Sequence, residues 1–545
     1  MKLLLLGISL LVASSSLASS DQAVSSPALR IRLSADADNL DWNKASYHSE
    51  KQILSNVMEG LLELDGELKI QNRLAQSVQL SPDGKMITFT LRPGIVWQDG
   101  VPLKAADFIY SWKRLLSPLT ASRYAHLLFD LVGAKEFNSG KIKDFTQVGV
   151  KALDDRRIEV RLTDAVPDWI FIPTFWPLFP LRQDVVEKHG SAWVSPGKMV
   201  TLGPYTLESR EVGSKIVLRE NPKYWSKRGN VSQIEAVVVN EDAAAMALFE
   251  AGQFDLIEDL SPTDYKKWAN KPEIKKVPLV ATDYLAFRVD KYPVSLEPLR
   301  RALAHSVDVK AVAAVEQGLA EPATGLIPPS LSSGARKKPV KVEFDPLRAR
   351  SLLRMSGIDP AELNLDLLIS KSDRNRRVGE AVRDQLKKNL GVTVTLKEYD
   401  QSHFRSQLDF QAFPAFLARW GADYPSPQSF LDIFIPSSGF NRTGWMNPKY
   451  NRLTEEARRA TQVKNRVSLF ESAEQLMIQK DVVIIPLFYE STAALVSRRT
   501  QGVRISPLNF LYLRDVSLRP NNPGSSPQGT APLAGSKKES RQGQK

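Results

Sequence analysis

Between residues 363 and 397 the hydrophobic period changes twice, and this constrains the fold more than any other stretch. Leu363 to Ser370 reads as a buried strand. From Asn375 to Leu390, Val378, Val382, Leu386 and Leu390 recur at four-residue spacing, which is the stripe of an amphipathic helix, and Gly391 suits its C-terminal cap. Val392, Val394 and Leu396 then alternate with Thr393, Thr395 and Lys397 as a second strand. Strand, helix and strand in direct succession predict a parallel pair with a right-handed crossover. This half of the chain is therefore α/β.

The two-residue period also marks strands at Leu29 to Leu33, at Ile87, Phe89 and Leu91, and at Ile158, Val160 and Leu162. Between the last two, Phe108, Trp112 and Leu115 share one helical face, and Pro118 prevents that helix from continuing. Asp345-Pro346 opens a helix as N-cap and first-turn proline, and Gly357 closes it. Pro298 is expected to open another, running to about Gly318. The prolines and the Ser-Ser-Gly at 332 to 334 make Glu321 to Val340 a loop. No repeat of 20 to 50 residues is found, which opposes a solenoid or propeller.

The 545 residues, 43% hydrophobic and 25% charged, are enough for about three or four folding units at roughly 100 to 200 residues each. There is no cysteine, which excludes disulfides, thiolate zinc sites, a cysteine nucleophile and a lipid-modified cysteine. Lys2, the apolar run Leu3 to Val12 and the small residues Ala13 to Ser20 have the layout of a secretory signal, with cleavage expected after Ala18 or Ser20 and Ala18 favoured. No later run reaches the length of a membrane span. The expected location is a bacterial periplasm, without a lipid anchor.

The formal charge is +12, from 73 basic and 61 acidic residues. Part of it resides in Lys2 and in the tail 521–545, whose Gly, Ser, Pro, Gln and Lys composition predicts disorder. The remaining basic residues are dispersed, which reads as solvated faces rather than a nucleic-acid stripe.

Catalytic signatures are scarce. There is no G-x-S-x-G, H-E-x-x-H, G-x-x-x-x-G-K-[ST] or G-x-G-x-x-G. Ser195-Pro196-Gly197-Lys198 matches S-x-x-K, but Pro-Gly opposes the shared helical face that motif needs, and its companion motifs are missing. His48, His126, His189, His305 and His403 are dispersed, and Asp36, Asp38 and Asp41 lack the rest of a calcium loop. No cofactor or metal is expected. Trp97 before Asp99-Gly100, Trp420 before Gly421 and Trp445 after Gly444 lie among turn residues, and loop aromatics of this kind suit the wall of a cleft.

A series of segments in order carries a resemblance: Glu59-Gly60-Leu61-Leu62, Leu74-Ala75-Gln76-Ser77, Phe89 to Pro102, Ala106 to Trp112, Asn221 to Trp225, Gly252-Gln253-Phe254-Asp255, Ala422-Asp423-Tyr424-Pro425 and Asn447-Pro448-Lys449-Tyr450. The chain resembles the periplasmic oligopeptide- and dipeptide-binding proteins of ABC importers, extracellular solute-binding protein family 5, over about residues 29 to 520. The resemblance implies an α/β, two-lobed periplasmic-binding-protein (Venus flytrap) fold with an extra domain on the first lobe. Residues 29–58, 186–280 and 489–520 would form the first lobe, 59–185 the extra domain, and 281–488 the second lobe.

It also implies a site. Asp423 falls at the family position that binds a peptide's α-ammonium, Trp420 at an aromatic lining the same cleft, and Tyr124 and Asn441 at positions near the ligand. Two departures stand out. The family's Arg before its Asp is displaced by two positions at Arg419, and Tyr284 to Val289 lacks the family's asparagine. Arg288, Arg419 and Arg442 are the candidates for a carboxylate partner. The expected protein is a monomeric, non-enzymatic carrier that hands short peptides to an ABC permease in the inner membrane. The alternatives are the same fold with a metal chelate, sugar or murein peptide, for which only His403 and His126 could serve a metal, or a secreted hydrolase.

Overall fold

Alternation of apolar and polar residues turns Ala28–Leu33 into a strand at the centre of one half of a large sheet. The computed structural model describes residues 28–331, 339–436 and 438–519. The predicted leader, the tail from 521 and the Ser-Ser-Gly at 332 to 334 lie outside them.

The sheet has eleven strands. In one half, Ala28–Leu33 lies parallel to Gln233–Val238, followed outward by the antiparallel strands Lys215–Glu220 and Tyr205–Glu211. In the other, Asn364–Ser370 lies between Thr393–Tyr399 and Ala415–Gly421, parallel to both. Two long strands, Ile274–Phe287 and Ile484–Val496, run antiparallel to each other through both halves. At the first end Ile484–Val496 pairs with Leu256–Ile257, and at the second end Ile274–Phe287 pairs with Ala415–Gly421. Their mutual register shifts between Pro278 and Thr282 and again between Asp283 and Tyr284. A bulge breaks the ladder and increases local twist, so the sheet divides there into two lobes.

The predicted β-α-β unit forms with Asn364 opposite Thr393 and Ser370 opposite Tyr399. Its helix spans Asp373–Leu390, starting two residues early because the Ser372 side chain accepts the Asn375 N–H (3.1 Å). Gly391 caps it at φ +77°. Asp345 caps Pro346–Met355 in the same way, accepting from the Arg348 N–H at 3.0 Å.

The helix expected from Pro298 to Gly318 is instead two, Glu297–His305 and Val309–Ala314. Ser306 Oγ donates to the Leu303 carbonyl and Asp308 accepts from the Lys310 N–H, so the chain stops one helix and caps another. The expected loop after it contributes an edge strand, Ala320–Pro322, paired with residues 488–490. Ser195 to Lys198 forms a turn with Gly197 at φ +75°.

A separate four-stranded antiparallel sheet is built by Ala75–Leu80, Met86–Leu91, Arg157–Arg161 and Val150–Ala152. Helix Ala105–Leu116 packs with it, burying Phe108, Trp112 and Leu115. Trp97, expected on a cleft wall, is 0% exposed here, with its Nε1 donating to Asp107. This unit meets the second lobe through charge: Arg458 reaches Asp130 at 3.3 Å, Arg459 reaches Asp164 at 3.2 Å, and Arg466 pairs with Asp168. Among the described residues no helix is long and apolar enough to cross a membrane.

Helix His48–Val57 carries several cleft residues, and its last turn is held by Gly203, whose N–H donates to the Val57 carbonyl at 2.8 Å. A Cβ on Gly203 would lie 2.4 Å from the Val57 carbonyl carbon and 2.6 Å from Met58 N. Backbone cannot rotate away as a side chain does. Gly203→Ala is therefore expected to destabilise the protein by about 1–3 kcal/mol. A urea titration should show a lower midpoint at constant slope, and an unchanged midpoint would contradict the close approach.

Candidate functional site

Where the two long strands cross from lobe to lobe, the structure encloses a cavity of about 830 Å³. The first lobe contributes Tyr47, His48 and Lys51 around the start of helix His48–Val57, together with residues 507–510. Tyr124, Phe175 and Trp176 come from the small-sheet unit, and the second lobe adds Arg405, residues 416–423 and Phe440.

Aromatic rings face the cavity from both sides. Tyr124 packs edge-on against Phe175 (5.2 Å) and Trp176 (5.7 Å). Opposite, Trp420 packs edge-on against Phe440 at 5.0 Å, and Phe440 meets His126 at 6.3 Å. Trp420 is held by its Nε1, which donates to the Ser429 carbonyl at 2.9 Å. The Ser429 hydroxyl in turn accepts the Asp423 N–H at 3.1 Å. One serine thus orients both residues.

Asp423 is surrounded by protein but keeps surface on the cavity. Among the described residues its carboxylate has no hydrogen bond or ion pair. Burial pushes its pKa up to about 7, and the nearby Lys51 charge opposes that rise. Lys51 Nζ donates to the Leu508 carbonyl at 3.0 Å and lies 4.7 Å from the Phe510 ring centre. Burial, reinforced by Arg419, pushes its pKa down to about 7. His48, 3.8 Å from Asp259, is pushed down to about 4 by burial. It is therefore neutral near pH 7.

The cavity floor is an ion network set in the long strands. Arg374 pairs with Asp283 and Glu490, each at 3.0 Å, and with Glu316 at 3.5 Å. Arg377 adds a contact to Glu316 at 3.2 Å, and Arg419 pairs with Glu490. Burial opposes the Glu490 charge, but Arg374 and Arg419 overcome it and hold its carboxyl below the usual range. Burial dominates at Asp283, raising it to about 6 despite Arg374. Arg419, considered above for a ligand carboxylate, thus already has a partner within the chain.

The structure brings Asp423, Trp420, Tyr124, Arg419 and Arg442 to the cavity wall. It places the others elsewhere. Trp445 is a core residue at 5% exposure, with Nε1 on Asp481 and its ring against Tyr450. Asn441 closes a turn, donating to the Phe434 and Trp445 carbonyls, both at 3.0 Å. Arg288 is buried on Asp290 at 2.7 Å. A nearby glycine marks a turn but not the direction in which an adjoining side chain points. That is why Trp97 and Trp445 read as wall residues and are not.

Lys51, Arg374, Glu490 and Arg405 were not singled out in the sequence. Only Glu490 carried a signal there, as the single charged residue in the otherwise largely apolar strand Ile484–Val496. A lone charge in a buried strand needs a partner.

Known proteins place this architecture. A sequence model of the bacterial extracellular solute-binding proteins, family 5 (middle), matches residues 69–442. The chain is 31% identical over 506 residues to the probable deoxycholate-binding periplasmic protein YgiS of Escherichia coli, covering 89% of this chain and 92% of that one. It is 30% identical to the periplasmic oligopeptide-binding protein OppA of the same organism, covering 88% and 91%. Among solved structures, the E. coli murein tripeptide-binding protein MppA superposes with a TM-score of 0.82 at 27% identity, covering 90% and 98%. Haemophilus influenzae OppA in complex with the peptide RPPGFSPFR gives 0.81 at 26%, with the same coverage. With the family matched over more than half its length and the two-lobed fold in place, this chain belongs to the bacterial extracellular solute-binding proteins of family 5.

Proposed function

We propose that this protein captures short peptides between its lobes and delivers them to an ABC permease. The observation that carries the reading is the Asp423 carboxylate, enclosed at the cavity wall without a hydrogen-bonded or ionic partner among the described residues. An ammonium is the group that such a carboxylate lacks. An extended peptide supplies it at one end and presents the same N–H and C=O groups whatever its sequence, which suits a cavity lined by strand backbone. The aromatic rings on both walls provide apolar contact for varied side chains.

Closure would pivot where the long strands change register, and the pairs of Arg458, Arg459 and Arg466 with Asp130, Asp164 and Asp168 would form as the lobes meet. The Lys2 to Ser20 leader supports export, and the absence of cysteine argues against a lipid anchor. The protein acts as a monomer and turns over no substrate in this reading.

Asp423→Ala is expected to weaken binding of a free-amine tripeptide by about 2–5 kcal/mol while the fold persists. Calorimetry that finds equal affinity for the variant would remove Asp423 from the site. Deoxycholate, which has no ammonium, is the control: tight deoxycholate binding that survives Asp423→Ala, with no peptide binding, would overturn the peptide reading.

Affinity should also follow pH. A bound ammonium favours ionised Asp423, so its pKa falls from about 7 on binding and a proton is released below that value. Binding should weaken as pH drops through about 7. It should weaken again as the peptide's own α-amino group loses its proton above about 8. A maximum between these limits is expected, and Asp423→Asn should flatten the acid limb. Lys51 titrates in the same region, so Lys51→Met serves to separate its contribution.

A further inference from the structure

Seven carboxylates line the cavity, and five of them are matched by arginines. Asp283, Glu316 and Glu490 share the Arg374 network, Asp242 meets Arg32 at 2.7 Å, and Asp373 meets Arg376 at 3.3 Å. The other two are Asp423, in the second lobe, and Asp259, in the first. Among the described residues neither pairs with a lysine or an arginine.

Asp259 follows the short strand Leu256–Ile257 and lines the cavity with 43% of its side-chain surface exposed. The Thr492 hydroxyl donates to its Oδ1 at 3.2 Å. Its Oδ2 lies 3.8 Å from His48 Nε2, which is buried without a hydrogen-bond partner, and the His48 ring is neutral near pH 7. Glu258 beside it is raised to about 8, first by burial and then by the Asp259 charge, so it keeps its proton near pH 7. Asp259 carries the only charge of the two.

Three cations of the cavity also lack an ion pair among the described residues, and each is placed elsewhere. Lys51 donates to the Leu508 carbonyl, Arg405 lies 4.4 Å from the Tyr47 ring centre, and Arg123 is exposed. The backbone fixes the carboxylate where it stands. Asp259 has φ +56°, and Asn509, whose side-chain nitrogen lies 3.5 Å from His48 Nδ1, has φ +60°. Left-handed residues other than glycine are uncommon and gather at ligand clamps, and Asp and Asn tolerate that conformation best.

We propose that Asp259 is a second cation subsite, which selects peptides carrying a cationic side chain while Asp423 holds the α-ammonium. The proposal rests on the peptide reading above and adds the class of peptide. The two carboxylates belong to different lobes, so a ligand with two cationic groups is gripped from both sides and favours closure. A hydrogen bond between ionised partners is about twice as strong as a neutral one, which makes the side-chain charge a means of selection.

The test is calorimetry on the mature protein with Ala-Lys-Ala and Ala-Ala-Lys against the same peptides with norleucine for lysine, which keeps the stem and lacks the ammonium. At least one lysine peptide should bind about tenfold more tightly than its norleucine counterpart. The preference should fall to within about twofold in Asp259→Asn, which removes the charge and suits the left-handed backbone. Asp259→Gly, which adopts the same backbone freely, serves if that variant does not fold. A lysine preference that survives the substitution would overturn the proposal. Binding of all four peptides by the wild type without preference would refute the cationic selection and leave the peptide reading standing. Binding of none would refute both.

Discussion

Two antiparallel strands belong to both lobes, and each carries a carboxylate at the point where the sheet changes register: Asp283 in Ile274–Phe287 and Glu490 in Ile484–Val496. Arg374 from the second lobe joins them. Charge buried in strands is expensive unless matched, and here three arginines and three carboxylates match one another around the pivot. The network thus has two consequences. It holds the shared strands at the base of the cleft, and it occupies Arg419, which would otherwise face a ligand.

The chemistry of the cleft follows from which charges remain after that pairing. An enclosed carboxylate without a direct partner is high in free energy, and its raised pKa reports this. Lys51 is likewise depressed by burial, and it is held by a carbonyl and an aromatic ring. Aromatic side chains line both sides of the wall, among aliphatic and small polar ones.

Much of the fold was legible along the chain. The 363–397 unit, the strand at residue 29 and the helix around Trp112 each reveal themselves through neighbours two to four positions away. The split of the 298–318 segment was less visible, because Ser306 and Asp308 sit inside an apolar pattern that otherwise continues as a helix. At the cleft, Asp423, Trp420 and Tyr124 came from a motif resemblance, and all three line the cavity. Asn441 came from the same resemblance and Trp445 from its glycine neighbour, and they turn inward to carbonyls and to Asp481.

The sequence by itself therefore determined the local elements and the family, since periodicity, caps and short motifs act over a few residues. Only the tertiary structure decided which charges neutralise one another. Glu490 meets Arg374 and Arg419, and Lys51 approaches Asp423, across separations of tens to hundreds of residues. Electrostatic energy depends on distance and burial in space, and neither is written in the order of the chain.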